Sequence, residues 1–526
     1  MSAVTVGQSS ATAAVPVPAD SAPAPGVCDL ASARLDAQAW ATLGLLAALA
    51  VLGATGVLPL LGWTERMFPR TRYPYLFAAV GAGYLGLRLA STPAWRRLSW
   101  LAAGGAAGAL VDPGFTALTV LWSLAYAHVL RAKVAARWKH LFLAATFAGL
   151  VIAVNRDLFP GVAEHPFIER WGYLFALGLG LRALWLHHEL TVAGFPRVPV
   201  ADVVAAFLCA PLFVILPYML AIPRFGQVRE ALSARRPALE AQGLRLIALG
   251  MLWALAAEVV RQALAPGPLF EGMLRARRIG EAALLALPFY PMWQVLNMLG
   301  NALILAGLLR LYGVDIAPSF DRPLLAESLT EWWRRWNTHF RDLLVDLCYY
   351  PVVLRLRRRP VLGIVLGCFA VFVVGSTLLH WLVKAYFVAG TARQLPLGLL
   401  AENLSMGLFV AIALVLERRR VRALSTHWLA RWRRRLTTWM LVWLSVVGIN
   451  YGLSWQLETR PRERALARAA EIRALVSAGR CTEAVAAARA ARPQIAHVHR
   501  MAPRHAALAV AYTLVTSLSK GEASCP

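Results

Sequence analysis

Apolar residues fall into long blocks that recur along most of this chain. They cover 41–62, 75–91, 98–112, 115–131, 140–154, 167–186, 202–222, 244–262, 281–312, 361–388, 396–416 and 436–456. The hydrocarbon core of a bilayer needs about 20 helical residues to cross it, so most blocks fit one crossing each. The blocks at 98–112 and 140–154 are short enough for tilted or re-entrant helices, and 281–312 is long enough to hold two segments. The pattern predicts an all-α, polytopic transmembrane protein of about ten to twelve spans.

Composition agrees. Hydrophobic residues make up 59% of the 526 residues, and the mean hydropathy is +0.56. A soluble fold could hardly bury that fraction. The net charge of +26 would suggest nucleic acid in another setting, but here the basic residues sit in short connections between apolar blocks. That is the positive-inside bias, with anionic lipid as counter-charge, so membrane lipids are expected partners and nucleic acid is not. The strongest basic connections are Arg355–Arg359 and Arg418–Arg435. Two spans separate them, so both are expected on the cytoplasmic side, with the segment after 457 outside. Arginine far outnumbers lysine and alanine is abundant, which points to a GC-rich, bacterial genome and to the inner membrane.

Three regions follow. Residues 1–35 lack periodicity and read as a disordered lead-in. Residues 36–457 form the membrane domain. Residues 458–526 form a helical extension, in which stretches at 462–478 and 481–492 flank Ala478-Gly479-Arg480. These two stretches read as one tetratricopeptide-like hairpin, expected to dock on something because a single unit cannot bury its own face. A plain amphipathic tail is the alternative. The six cysteines show no CxxC. Cys209 and Cys368 are expected in the core, and Cys481 and Cys525 could pair.

Several motifs fail on context. Gly81, Gly83 and Gly86 match GxGxxG, but they lie inside an apolar block, where small residues let helices approach. His187-His188-Glu189 begins like a zinc-protease helix, but Val192 stands where the second histidine belongs. Asn403-Leu404-Ser405 fits a glycosylation triplet but is embedded in an apolar run. No metal site is expected.

Two features carry chemistry. The first is Ser319–Phe340, the densest polar and aromatic stretch. A helix is expected from about Pro323 to Leu347, with Trp332, Arg335, Trp336 and His339 on one face and Trp333, Asn337 and Phe340 on the next. Tryptophan and arginine together suit a membrane interface, so an anchor helix is one reading. The second feature is His380, about twenty residues into a span. Ser376, Thr377 and Lys384 share its stripe, as expected of a helix facing a wet cavity. A packed histidine bonded to a neighbouring helix is the plainer alternative.

The stretch Phe320–Asn337 resembles the signature of the membrane-bound O-acyltransferase (MBOAT) family. There an Asn or His follows a WxxW-type segment, and a histidine follows in a hydrophobic span. Phe340-Arg341-Asp342 and Tyr349-Tyr350-Pro351 are similar to two further family elements, and Pro211, Pro217, Pro223 and Arg224 to a segment before the core. The strong resemblance covers about residues 317–384. It implies transfer of an acyl group from a thioester, carried by coenzyme A or a carrier protein, to a hydroxyl on an envelope glycan, lipid or other acceptor. His380 is then the general base, and Asn337 orients the acceptor or donates to the oxyanion. Arg334 and Arg335 are expected to bind donor phosphates or lipid headgroups, while Trp332, Trp333 and Trp336 wall the site. No tightly bound cofactor is implied. A carrier or envelope protein is a further candidate partner. A transporter or scaffold is the reading of another class.

Overall fold

The computed structural model describes residues 36–58, 70–154, 180–214, 221–264, 279–379, 397–419, 427–451, 460–501 and 506–520. Those residues contain helices and turns and no strand. The expected lead-in 1–35 lies outside them, as do His380, Lys384, Pro217 and Cys525.

The first helices follow the apolar blocks closely: α1 (Ala37–Ala54), α2 (Tyr73–Leu89), α3 (Pro93–Val111), α4 (Pro113–Arg131) and α5 (Ala136–Val154). Their ends are set by local chemistry. Asp36 and Thr92 cap α1 and α3 by accepting from backbone N–H groups. Asp112 ends α3 and caps α4 through the Phe115 N–H, while Pro113 opens the new helix. α6 (Leu181–Val192) follows, then α7 (Val200–Phe207). The expected span 202–222 ends early, because α7 stops before a short 3₁₀ turn at Ala210–Phe213 that contains Pro211.

α8 (Phe225–Ser233) leads to two long helices, α9 (Pro237–Leu264) and α10 (Ile279–Leu311). The block 281–312 therefore forms one helix of 33 residues, not two segments. α9 and α10 pack through facing glycines. A Cβ on Gly250 would lie 2.6 Å from the Gly300 carbonyl oxygen, and one on Gly243 would lie 2.7 Å from that of Gly307. Only hydrogen fits at such a backbone approach, and small residues at this spacing drive helix association where water is absent. Gly83 of the GxGxxG match serves similarly, since a Cβ there would strike Ala103 and the Tyr312 hydroxyl.

Downstream come α11 (Leu329–Arg335), α12 (Thr338–Leu344), α13 (Tyr350–Arg355), α14 (Pro360–Phe369), α15 (Leu397–Arg419) and α16 (Trp428–Trp443). Three of these helices run into wide π turns. α12 continues through Val345–Tyr349, α14 through Ala370–Ser376 and α16 through Leu444–Tyr451. α1–α10 share one apolar core, and α11, α12 and α14–α16 build a second around Phe340, Phe372, Met406 and Trp443. Leu181, Trp185, Ile222 and Leu343 join them.

Among the described residues, five helices are long and apolar enough to cross a membrane: 37–54, 113–131, 237–263, 360–379 and 397–418. This is a helical membrane protein with fewer full-length spans among these residues than the blocks predict. α7, with 8 residues, is too short to cross.

The extension is a three-helix bundle: α17 (Arg460–Ser477), α18 (Cys481–Met501) and α19 (Ala506–Lys520). Gly479 makes the turn at φ +67°, as the hairpin reading requires. The hairpin docks, as expected, and what it docks on is the third helix of the same chain. Leu508, Ala511, Val515 and Leu518 cover the apolar face of the hairpin.

Candidate functional site

The aromatic stretch is not one helix. Ser328 caps α11 by accepting from the Glu331 N–H at 3.1 Å, and Glu331 accepts from the Glu327 N–H at 2.6 Å. The helix then breaks at Asn337, which stands at φ +44°, ψ +56°. Asparagine is among the few side chains that visit this left-handed region. Two backbone bonds hold the break against the preceding loop: Asp321 N–H to the Arg335 carbonyl at 2.9 Å, and Thr338 N–H to the Ser319 carbonyl at 2.8 Å. The expected helical faces therefore do not run through the break. Trp332 and Trp336 still stack, at 5.0 Å and 17°. His339, however, turns to the Ala317 carbonyl at 2.8 Å.

The break opens onto a cavity of about 240 Å³. A dry cavity of roughly 150 Å³ holds benzene, so this one takes a somewhat larger apolar group. Trp332, Trp333, Trp336, Trp439 and Trp443 wall it with Phe340, Phe372 and Met406. Trp333 lies 4.4 Å from Phe372, and Trp439 donates to the Leu324 carbonyl at 2.9 Å, which fixes two of the indoles.

Polar groups enter this lining at few points. Asn337 is 6% exposed, and its side-chain oxygen makes no hydrogen bond among the described residues. On α15, Asn403 bridges to the helix that carries Ser376 and Thr377. Ser376 donates to the Asn403 oxygen at 3.2 Å, and the Asn403 amide donates to the Thr377 hydroxyl at 3.1 Å. Ser376, Asn403 and Glu402 line the cavity with Asn337. A chain that builds a satisfied polar bridge beside an unsatisfied carbonyl, inside aromatic walls, has a place for a small polar head on an apolar body.

Of the expected site residues, the structure brings Asn337 together with the three tryptophans. Arg334 and Arg335 do not line the cavity. Arg335 pairs with Glu331 at 2.5 Å, and Arg334 is exposed. His380 lies outside the described residues, four positions beyond Ser376 in sequence. Sequence reasoning missed Glu402 and Asn403. Their signal was a polar pair inside an apolar block, set aside with the glycosylation triplet.

The three residues that open the failed zinc motif are each engaged elsewhere. Tyr126 of α4 bonds His187 Nδ1 at 2.8 Å, and His187 Nε2 bonds His140 Nδ1 of α5 at 2.8 Å. With neutral rings, the sense that uses the tyrosine proton runs Tyr126 to His187 to His140, since Tyr126 is otherwise stacked on Trp122 and Phe142. His188 lies 3.8 Å from Asp346, beside α12, and Glu189 accepts from the Phe225 N–H that opens α8, at 2.8 Å. Among the described residues no group of three or more histidine, cysteine or acidic side chains could hold a metal ion.

No protein-family model matches the chain, and no curated protein matches it.

Proposed function

We propose that this chain is a membrane-embedded O-acyltransferase that moves an acyl group from a thioester to a hydroxyl. The observation that carries the reading is the unpaired, buried carbonyl of Asn337 on the wall of an aromatic cavity. An unpaired acceptor in an apolar wall costs stability, and a hydroxyl bound in the cavity would supply its missing donor. The polar bridge of Ser376, Thr377 and Asn403 supports the same reading, because Ser376 and Thr377 stand four and three positions before His380 in sequence. The resemblance of 317–384 to the O-acyltransferase signature supplies the reaction class.

In this reading a second O–H or N–H of the acceptor, beside the reacting hydroxyl, donates to Asn337, which orients the acceptor. His380 takes the proton of the reacting hydroxyl as its oxygen attacks the thioester carbon. The tetrahedral intermediate then expels the thiolate, which takes up the proton, leaving ester and free thiol. The general base contributes about 10²- to 10⁴-fold. The indole walls exclude the water that would hydrolyse the thioester. The donor is a coenzyme A or carrier-protein thioester, and the acceptor an envelope glycan, lipid or other hydroxyl compound.

The test is thiol release from a panel of acyl-thioesters by the purified protein in lipid, with and without envelope acceptors. Beside it run His380→Ala and Asn337→Gly. Glycine keeps the left-handed backbone and removes only the side chain. Acceptor-dependent release that both variants lose supports the reading. Release that is absent from the folded wild type, or indifferent to His380, points instead to a transporter or scaffold.

A further inference from the structure

A second polar centre lies where α16 meets the loop before α11. Glu327 receives three guanidinium groups. Arg431 Nε reaches one carboxylate oxygen at 2.8 Å, and Arg435 Nη2 approaches the same oxygen at 3.4 Å. Arg434 takes the other oxygen twice, at 3.1 and 2.5 Å. The nearby acids have partners of their own: Glu331 pairs with Arg335, and Glu417 accepts from the Thr330 hydroxyl.

Among the described residues, Glu327 is met by three guanidinium groups, and the side chains of Arg434, Arg435 and Glu327 are only 20%, 16% and 18% exposed. The hydrogen bonds do not balance. Arg435 Nε–H is buried without an acceptor among the described residues, and the best contact of that side chain to Glu327 is its 3.4 Å approach. A guanidinium held over the Trp432 ring at 5.4 Å, with donors to spare, is a group arranged for a second anion. Arg431, 49% exposed, leaves a way in.

Position narrows the chemistry. The bond from Thr330 to Glu417 sets this centre beside the end of the span 397–418, where headgroup phosphates lie. Tetrahedral oxyanions match the forked donors of arginine, whereas chloride cannot take paired bonds.

We propose that Arg431, Arg434 and Arg435 form a phosphate-binding site, filled by the phosphodiester of an anionic lipid headgroup or by a soluble phosphate. The site does not depend on acyl transfer.

The experiment uses the full chain in nanodiscs. One arm holds neutral lipid and titrates inorganic phosphate against chloride at equal ionic strength, reading the unfolding midpoint. The other adds phosphatidylglycerol and counts retained lipids by native mass spectrometry. Wild type should gain stability from phosphate or retain phosphatidylglycerol, and whichever arm responds names the source. Arg435→Gln should weaken the response about tenfold or more. Glu327→Gln removes the competing carboxylate, so it should respond at lower ligand concentration even if its resting stability falls. A purely structural clamp gives the opposite pattern: both variants melt earlier, and neither phosphate nor phosphatidylglycerol has an effect beyond chloride. That result, or an unchanged response in Arg435→Gln, overturns the proposal.

Discussion

Replacing Tyr126 by phenylalanine removes a single oxygen atom from a buried aromatic stack. Tyr126 is fully buried, its ring lies 4.9 Å from Trp122 and 5.8 Å from Phe142, and phenylalanine keeps those contacts. What goes is the 2.8 Å bond to His187 Nδ1. His187 is 6% exposed, so water does not replace the lost partner. An unsatisfied buried nitrogen costs about 1–3 kcal/mol, and the variant should be less stable by that amount. His187→Leu removes the other partner. His140 is exposed, so losing His187 buries no unpaired group there. The double variant should therefore lose less than the sum of the singles, by about 1 kcal/mol or more. Reversible unfolding by dodecyl sulfate in mixed micelles measures all four corners of this cycle. A Tyr126→Phe change below about 0.5 kcal/mol with no coupling would refute the assignment of α4, α5 and α6 to one hydrogen-bonded joint.

Other expectations follow from the same geometry. Burial raises the Glu327 carboxyl, but the bonds and charges of Arg431 and Arg434 outweigh it and hold the group below its ordinary 4.5. Its contribution to stability is thus present above pH 4.5 and lost as pH falls through the lower folded value, so Glu327→Gln should flatten the acid limb of a stability-versus-pH curve. Asn403→Leu removes both bonds that tie α15 to Ser376 and Thr377 and should cost about 1–3 kcal/mol, with acyl transfer falling further than stability. Gly250→Leu places a Cβ against the Gly300 carbonyl, so α9 and α10 must part; a loss of about 1–3 kcal/mol in the same unfolding assay checks it. Asn337→Ala should be less stable than Asn337→Gly by about 1–2 kcal/mol, because only glycine takes φ +44° without strain.

Much of the fold was legible because helix length and hydropathy are local properties. Blocks such as 115–131 and 396–416 became α4 and α15 nearly residue for residue. The 281–312 block was ambiguous because sequence length does not say whether a helix is broken, and the glycine seam with α9 is a pairwise fact. The tryptophans and Asn337 were singled out by the density of polar and aromatic residues, and the role expected of Asn337 by the family resemblance. Their arrangement was not, since a regular wheel assumes continuous helix and two backbone bonds to residues 319–321 impose the break. Arg434 and Arg435 were read as a topological signal. Their common carboxylate, about a hundred positions earlier, is a tertiary coincidence that no window of sequence displays.

The wide turns at 345–349, 370–376 and 444–451 have a consequence for how such chains vary. A π turn accommodates roughly one residue more than α geometry, so side chains beyond it are rotated by about 100° relative to a straight helix. Ser376 closes one such turn, and Val446, also on the cavity wall, sits inside another. Deleting one residue from either turn would let the helix relax into regular form and swing every later side chain away from its present bearing. Insertions and deletions here act as rotations, so a shortened turn can carry Ser376 or Val446 off the cavity wall while every residue type on it is retained.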